Sequence, residues 1–462
     1  MSETWQPKLS ADTKPLYLAI VKALADDIAA ARLDPGTRLP THRELSDSLG
    51  VAIGTVTRAY DEAEKRGLIH GAGRRGTFVG SASGEVTAGT NPFIPESPLV
   101  DLSIYYPSAA ENPDLPTALR QMSRKRQTQW LLQYTPAEGL EHHRAAGARW
   151  IGKLGMAVDP SSVIVTSGAQ HALTVILSAV ASQGEVVLAE TLTYPGVKGV
   201  AKMLGLKTVG VPIDDEGVIP KEFDKMCSRH KVRALYCVPT MQNPTNVIMS
   251  EKRRKEIAEV AKKHSVYIIE DAINRALHPK PPSFLSSFAP ETSFLIASVS
   301  KAVAAGLRVC FVHAPSEWVG RLSDNVRTTT LMISPISLEL FAHWLDDGTV
   351  DDTIRMRRAE AGVRQKIASE IFKGQRVGVH PFSFFVWLPL GEGWTAADFT
   401  LEARSRGVSV APSQLFCVDE SEPVNAVRIC LGGTVSREQL RKALKTLAEI
   451  IEAPPTSGFT SM

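Results

Sequence analysis

The sequence lacks paired cysteines and long apolar runs, and each absence excludes a class of protein. No two cysteines have disulfide-framework or metal-ligand spacing, so neither a disulfide scaffold nor a metal site is predicted. The five are Cys227, Cys237, Cys310, Cys417 and Cys430. No secretory signal is apparent at the N-terminus, and no apolar stretch approaches the length of a membrane span. We therefore expect a soluble, cytoplasmic protein that has no membrane partner.

The net charge is also small, at +3 over 462 residues. This value neither requires nor excludes a nucleic-acid partner, because a binding site needs only a local basic patch. Hydrophobic residues make up 44% of the chain and charged residues 22%, as in ordinary globular proteins. The length is too great for one small core and predicts two to four domains.

Residues 1–80 have the pattern of a separate, mostly helical domain. Apolar residues recur every four positions from Leu16 to Ile28, which predicts an amphipathic helix. Thr41 is expected to cap a second helix, with Glu44 at capping-box spacing. A third helix is expected to open at Gly54. Two short strands, at 68–69 and 77–79, complete the pattern of a winged helix-turn-helix.

Such a head would insert its third helix into the major groove of DNA. Short threonines would contact phosphates and bases, and an arginine would read guanine. From residue 65 to residue 80 there are four basic side chains and no acidic one: Lys65, Arg66, Arg74 and Arg75. The alternative is a small helical domain with solvated charges.

Two further regions follow the head. Residues 81–100 are rich in Ser, Gly, Thr and Pro, which is typical of a linker. From residue 101 to residue 462, short apolar strands alternate with helical segments, as in an α/β domain with a mostly parallel sheet covered on both faces. The pattern changes again at about residue 351, which predicts a smaller C-terminal lobe over 351–462.

The most informative motif of the large domain is Ser298-Val299-Ser300-Lys301, with Arg308 seven residues later. Lys301 could form a Schiff base with an aldehyde cofactor, and the serine hydroxyls and the guanidinium could hold its phosphate. This chemistry indicates pyridoxal 5′-phosphate. Taken alone, the motif also fits a solvated lysine and a surface arginine.

Other residues at predicted strand ends suit the same cofactor. The backbone of Gly168, Ala169 and Gln170 could cradle the phosphate at a helix N-terminus. We expect the ring of Tyr194 to stack on the cofactor ring and Asn243 to donate to its phenolate oxygen. Asp271 would hold the ring nitrogen protonated, and Arg428 would bind the carboxylate of a ligand. Singly, each also fits a turn, core packing, a helix cap or an exposed side chain.

The head closely resembles the GntR family of winged-helix regulators. The resemblance rests on residues 36–45, 50–60, 67–69 and 76–79. It implies DNA contacts from the second and third helices and from the wing, and these positions are Arg38, Arg43, Thr55, Thr57, Arg58, Gly76 and Thr77.

Residues 101–450 closely resemble the class I aminotransferases of fold type I, on the ordered set from Gly168 to Arg428. The two resemblances together are those of the MocR family of bacterial regulators. That family implies a multidomain protein: a winged helix-turn-helix and an α/β, PLP-binding aminotransferase-like domain with large and small lobes. It also implies a homodimer whose cofactor site is completed by both subunits, with the head of one protomer over the body of the other.

The chain departs from the family pattern at two positions. Asn274 stands where the family has a tyrosine that bonds the cofactor phenolate; an amide can still donate, but it cannot act as a phenol acid or base. Ala305 replaces a proline and loosens the loop before Arg308. These departures are compatible with cofactor binding and argue against efficient transamination.

Three functional interpretations remain open at this point. The first is a regulator that binds double-stranded operator DNA and senses an amino acid, amine or vitamin B6 form, with Lys301 as the exchangeable contact. The second is a working aminotransferase that carries a DNA-binding head. The third is a regulator whose pocket holds no cofactor.

Overall fold

The computed structural model describes residues 5–7, 15–29, 32–33, 37–65, 68–71, 76–79, 99–124, 128–391, 393–419 and 424–453. The chain divides into two compact units, Met1–Thr90 and Asn91–Met462. Most of the predicted linker and the predicted wing residues Arg66, Arg74 and Arg75 lie outside the described residues. Among the helices described, none is both long enough and apolar enough to cross a membrane.

The first unit is a winged helix-turn-helix, as predicted. Its elements are α1 (Leu16–Ala29), α2 (His42–Leu49), α3 (Ile53–Lys65), β1 (Ile69–Gly71) and β2 (Thr77–Val79). The expected capping box is confirmed, since the Thr41 hydroxyl accepts from the Glu44 amide and the Glu44 carboxylate accepts from the Thr41 amide. Gly50 ends α2 at φ 63°, a left-handed conformation that glycine adopts without strain.

The second unit is built on a seven-stranded sheet. Its strands are β4 (Val163–Thr166), β5 (Val186–Glu190), β6 (Lys207–Val211), β9 (Val232–Cys237), β10 (Tyr267–Asp271), β11 (Ser293–Ser298) and β12 (Cys310–His313). Their order across the sheet is β4-β12-β11-β10-β9-β5-β6. Only β12 runs antiparallel to its neighbours. The carboxyl ends of the other strands therefore meet at one edge, where α/β sheets place their ligands.

Helices cover both faces of this sheet, and two short strands complete the large lobe. The strand β3 (Val100–Asp101) precedes these elements in the chain. The elements of the large lobe are α4 (Leu115–Ser123), α5 (Glu141–Lys153), α6 (Gly168–Val180), α7 (Pro195–Met203), β7 (Ile213–Asp214), β8 (Gly217–Val218), α8 (Pro220–Arg229), α9 (Glu251–His264), α10 (Ser316–Thr330) and α11 (Pro335–Asp346). Apart from the edge strand β6, the strands of the seven-stranded sheet are buried along nearly their whole length, which explains why they read as continuous apolar runs.

The C-terminal part forms a smaller lobe around a three-stranded antiparallel sheet in the order β13-β16-β15. Its elements are α12 (Thr349–Ile371), β13 (Phe385–Pro389), α13 (Ala396–Ser405), β14 (Val408–Ser409), β15 (Ala411–Pro412), β16 (Ala426–Cys430) and α14 (Arg437–Glu452). The lobe also takes in β3, which pairs in parallel with β14. The segment that leaves the predicted linker therefore joins the last lobe of the chain.

Candidate functional site

The outer face of the head carries the predicted arginines. Arg38, Arg43 and Arg58 are exposed, whereas Val56 and Tyr60 of α3 are buried in the core of the head. The guanidinium of Arg58 lies 4.3 Å from the centroid of the Tyr17 ring, so α1 supports its position. These side chains, from the segment before α2, from α2 and from α3, remain available to an anionic partner.

The predicted threonines and the wing residues are half-buried. The Thr57 hydroxyl lies 3.1 Å from Nδ1 of His42, which joins the second helix to the third. The wing gains a further strand-like contact, because Leu39 donates to the Thr77 carbonyl and Val79 donates to the Thr37 carbonyl, each at 2.9 Å. Gly76 packs against the Arg38 guanidinium, so Arg38 and the wing form one surface.

In the second unit, Lys301 lies in the turn that follows β11. Its Nζ donates to the Tyr105 carbonyl at 2.5 Å and lies 4.5 Å from the centroid of the Tyr105 ring. Removal of water from the ammonium lowers the pKa of Lys301 to about 8. At neutral pH, about a tenth of such an amine is uncharged and nucleophilic, far more than for a free lysine.

A cradle for an anion lies at the N-terminus of α6. Gly168 has φ +80°, and a Cβ added there would overlap the Arg308 guanidinium, so only glycine allows this approach. Arg308 itself is left-handed (φ 52°) and donates to the Ser167 carbonyl at 3.4 Å. The first turn of α6, with Ala169 and Gln170, presents backbone N–H groups beside this guanidinium.

The two serines of the lysine motif are both buried beside β11. The Ser298 hydroxyl accepts from the Ser300 amide at 3.2 Å, and the two hydroxyl oxygens are 3.1 Å apart. This pair fixes the backbone turn that delivers Lys301. Ala305 lies in the short 3₁₀ turn Ala305–Leu307 that leads into Arg308.

Tyr194 opens α7 with its ring half-buried. Its hydroxyl donates to Gln170 Oε1 at 3.0 Å, and the amide of Gln170 donates to the Gly196 carbonyl at 3.1 Å. The predicted stacking residue is thereby tied to the predicted phosphate cradle.

Asp271 ends β10 and is buried. Its carboxylate accepts from the Tyr236 hydroxyl at 2.8 Å and from the Ile273 amide at 3.0 Å. Burial nevertheless raises the pKa of Asp271 to about 6, because these two hydrogen bonds do not replace the lost water. A cationic partner in the site would stabilise the charged form.

Arg428 on β16 points at the loop after β9. Its Nη1 donates to Asn243 Oδ1 at 2.9 Å, its Nη2 donates to the Ser103 carbonyl at 2.7 Å, and its buried Nε has no hydrogen-bond partner among the described residues. The positive charges of Arg428 and Arg308 help to lower the pKa of Lys301. The positive charge of Lys301 in turn favours the ionised form of Asp271 and so opposes the rise of its pKa. The predicted groups at the ends of β4, β5, β9, β10 and β11, together with Arg428 on β16, therefore lie in one site.

Besides Tyr236, which donates to Asp271, two residues at this site were missed by the sequence analysis. Tyr105 contacts Lys301 and donates from its hydroxyl to Asn274 Oδ1 at 2.8 Å, while Asn274 Nδ2 donates to the Met241 carbonyl at 2.6 Å. Arg357 of α12 is fully buried and donates to the Lys301 carbonyl at 2.7 Å. The two adjacent tyrosines after the linker, Tyr105 and Tyr106, could have indicated Tyr105 in the sequence. Nothing in the charged sequence of α12 distinguishes Arg357 from its neighbours.

The fold and this lysine site define a protein with two kinds of domain, a winged-helix head and an aminotransferase-type domain of fold type I. The family model for aminotransferase class I and II matches residues 97–447, and the model for bacterial regulatory proteins of the gntR family matches residues 16–79. The chain belongs to the aminotransferase class I and II family, and its GntR head gives it the MocR-type architecture of a DNA-binding transcription regulator.

Similar proteins include both regulators and enzymes. The uncharacterized HTH-type transcriptional regulator YdeF of Bacillus subtilis (strain 168) is 28% identical over 454 residues, which cover 97% of each chain. The 2-aminoadipate transaminase of Thermus thermophilus is 27% identical over 332 residues, 70% of this chain and 82% of that protein. An archaeal alanine:glyoxylate aminotransferase shares the fold, with a TM-score of 0.71 and 24% identity over 77% of this chain and 91% of that one.

Proposed function

We propose that this regulator binds double-stranded operator DNA through its head and holds pyridoxal phosphate at Lys301, where it senses an amino acid, an amine or a vitamin B6 form. The observation that carries the proposal is the enclosed amine of Lys301, with its pKa of about 8, in the same site as Arg308 and Gly168. With DNA as its partner, the protein would act in the cytoplasm.

The residues present fit this cofactor. When bound, pyridoxal phosphate supplies an aldehyde that reacts with amines, an electron-accepting ring and a phosphate. Arg308 and the first-turn amides of α6 would hold the phosphate. Asp271, buried beside Tyr236, would hold a proton on the ring nitrogen. Asn243 would keep an amide N–H for the ring oxygen, since its Oδ1 is already occupied by Arg428.

Arg428 would bind the carboxylate of an effector. Its guanidinium lies 4.8 Å from the centroid of the Phe416 ring, and its Nε is a buried donor with no hydrogen-bond partner in the part of the chain that the structure describes. A buried guanidinium that has spare donors gains from an anionic ligand. The amine of an effector would compete with Lys301 for its contact with the cofactor. Arg428 would hold the carboxylate of the same effector.

Catalytic turnover is the second candidate, and the intact set of Lys301, Asp271 and Arg428 favours it. Against it stands Asn274, which places an amide where the family has a phenol. One of the two amide N–H groups of Asn274 is already given to the Met241 carbonyl. The other can still donate a hydrogen bond, but a carboxamide does not ionise near neutral pH and so cannot act as an acid or base at that position.

We also propose a homodimer. Large apolar side chains are exposed on neighbouring elements, since α11 packs against α4 and against residues 129–132. Leu132 and Tyr134 are 76% and 81% exposed, and they are joined by others on this surface: Leu115, Leu119, Leu331 and Ile336. Exposed apolar surface of this kind marks an interface.

Two measurements on the full chain test these functions. In the first, the protein loaded with pyridoxal phosphate is titrated with amino acids and B6 forms, while visible absorbance and affinity for its own promoter DNA are followed together. An effector should change both, and Lys301→Ala should abolish the absorbance. No absorbance in wild type supplied with the cofactor would contradict the cofactor assignment.

The second measurement is a steady-state assay of the full chain with amino acids and 2-oxo acids. Turnover at about 1 per second or faster would favour the enzyme.

A further inference from the structure

His142 and His143 in the first turn of α5 face Glu339 of α11. The Nε2 atoms of the two histidines lie 2.5 and 3.1 Å from the same oxygen, Oε1 of Glu339. One ligand atom from each residue can be chosen so that all three lie within 4.8 Å of one another. We propose that these residues bind one divalent transition-metal ion, with zinc as the best match, outside the Lys301 site.

The ligand types and their spacing suit zinc. Zinc accepts imidazole nitrogen and carboxylate oxygen at about 2.1 Å, so two ligands in a tetrahedral site are roughly 3.4 Å apart. Glu339 Oε1 would need to separate from His142 by about 0.9 Å and from His143 by about 0.3 Å to admit the ion. The larger movement falls on His142, whose side chain is 52% exposed and free to adjust.

The surroundings hold two of the three ligands, His143 and Glu339, in place before an ion arrives. The Trp130 ring centroid lies 5.9 Å from that of His142 and 6.1 Å from that of His143. The His143 side chain is fully buried, and that of Glu339 is only 16% exposed. An ion would enter from the exposed side of His142, where water can fill the fourth position.

One feature sets the expected affinity. An imidazole that binds a metal through Nε2 carries its proton on Nδ1, and metal-bound histidines normally give this proton to an acceptor. Nδ1 of His143 is buried and has no hydrogen-bond partner among the described residues. Loss of such an outer contact costs about 10- to 100-fold in affinity. We therefore expect a dissociation constant on the order of a micromolar, weaker than that of a structural zinc finger.

Bound zinc would link parts of the chain that are far apart in sequence. Glu339 is 197 residues from His142 and 196 from His143. The ion would hold α5 to α11, the helix that also carries the exposed Ile336. Its role would be to fix this corner of the large lobe.

Calorimetric titration of the full chain with zinc chloride tests the site, after removal of any affinity tag and of bound metal with a chelator. Wild type should bind one ion per chain. His142→Ala and Glu339→Gln should each weaken binding tenfold or more; the first removes an exposed side chain and should leave the fold intact. His264→Ala is the matched control, because His264 makes a comparable 2.8 Å contact with Asp224 but belongs to no group of three possible metal ligands among the described residues.

Each outcome decides the proposal. Binding in wild type and in His264→Ala, with loss in both other variants, supports it. No binding in wild type at tens of micromolar zinc overturns it. Equal binding in wild type, His142→Ala and Glu339→Gln also overturns it, since the ion must then be held elsewhere, for example by a cysteine.

Discussion

The hydroxyl of Tyr105 donates a hydrogen bond to the side-chain oxygen of Asn274 at 2.8 Å, and both residues are buried. The same tyrosine accepts from Lys301 through its carbonyl. A phenol is thus present beside the lysine although Asn274 is an amide. Burial raises the pKa of the Tyr105 hydroxyl, so it acts here as a donor and stays protonated at neutral pH.

Tyr105→Phe should therefore lower stability and disturb the lysine site. Removing the hydroxyl leaves a buried carbonyl oxygen of Asn274 without its donor, which costs about 1–3 kcal/mol. Urea unfolding measures the loss, and the visible spectrum of the cofactor-loaded protein should shift. Tyr106→Phe is the control, because Tyr106 is 47% exposed. Equal stability of the two variants would contradict the assigned contact.

Gly168→Ala should weaken cofactor binding at least tenfold. The new methyl group would overlap the Arg308 guanidinium, and φ +80° is unfavourable for alanine. Equilibrium dialysis with pyridoxal phosphate measures the affinity. Gly199→Ala, in the open middle of α7, meets nothing within 4 Å and should leave the affinity unchanged. A normal affinity in Gly168→Ala would mean that the phosphate lies elsewhere.

The rate of cofactor incorporation should depend on pH through Lys301. Only the uncharged amine attacks an aldehyde, and the pKa of Lys301 is lowered to about 8. The rate should thus rise about fivefold from pH 7 to pH 8 and level off above pH 9. Stopped-flow absorbance follows the reaction. A rate that keeps climbing to pH 10 would indicate a solvated lysine with an ordinary pKa.

Arg43→Ala and Arg58→Ala should each weaken binding to the protein's own promoter DNA, by about tenfold at low salt, and should leave the cofactor spectrum intact. Each removes one cation from the exposed face of α2 or α3, so the slope of log K against log salt should fall by about one. Fluorescence anisotropy at several salt concentrations measures both. Arg32→Ala is the control, since Arg32 pairs with Asp27 at 2.7 Å. Unchanged affinity in both variants would refute the groove assignment.

Leu132→Asp combined with Tyr134→Asp should convert the proposed dimer to a monomer. Two charges in the middle of an apolar interface remain unpaired and desolvated. Sedimentation velocity gives the mass of the wild type and of the variant. Leu401→Asp is the matched control, because Leu401 is 67% exposed on α13, outside this surface. A monomeric wild type would contradict the dimer itself.

Much of the fold could be predicted because its signals are local. The runs around Val187 and Ile268 are buried on both sides in the structure, and the Thr41 cap uses groups three residues apart. Contacts between distant segments gave no such signal. Tyr105 meets Asn274 across 169 residues, and Arg357 meets Lys301 across 56. The order of motifs indicated which residues share the site, while the hydrogen bonds among them depend on packing.

The segment with β3 has a mechanical consequence. The carbonyl of Ser103 accepts from Arg428, and that of Tyr105 accepts from Lys301. Both cations are the groups that a cofactor and an effector would engage. A ligand that drew both cations away would release two contacts of the segment that carries β3. The position of this segment and the occupancy of the pocket would then be linked, so that a change in one would shift the equilibrium of the other.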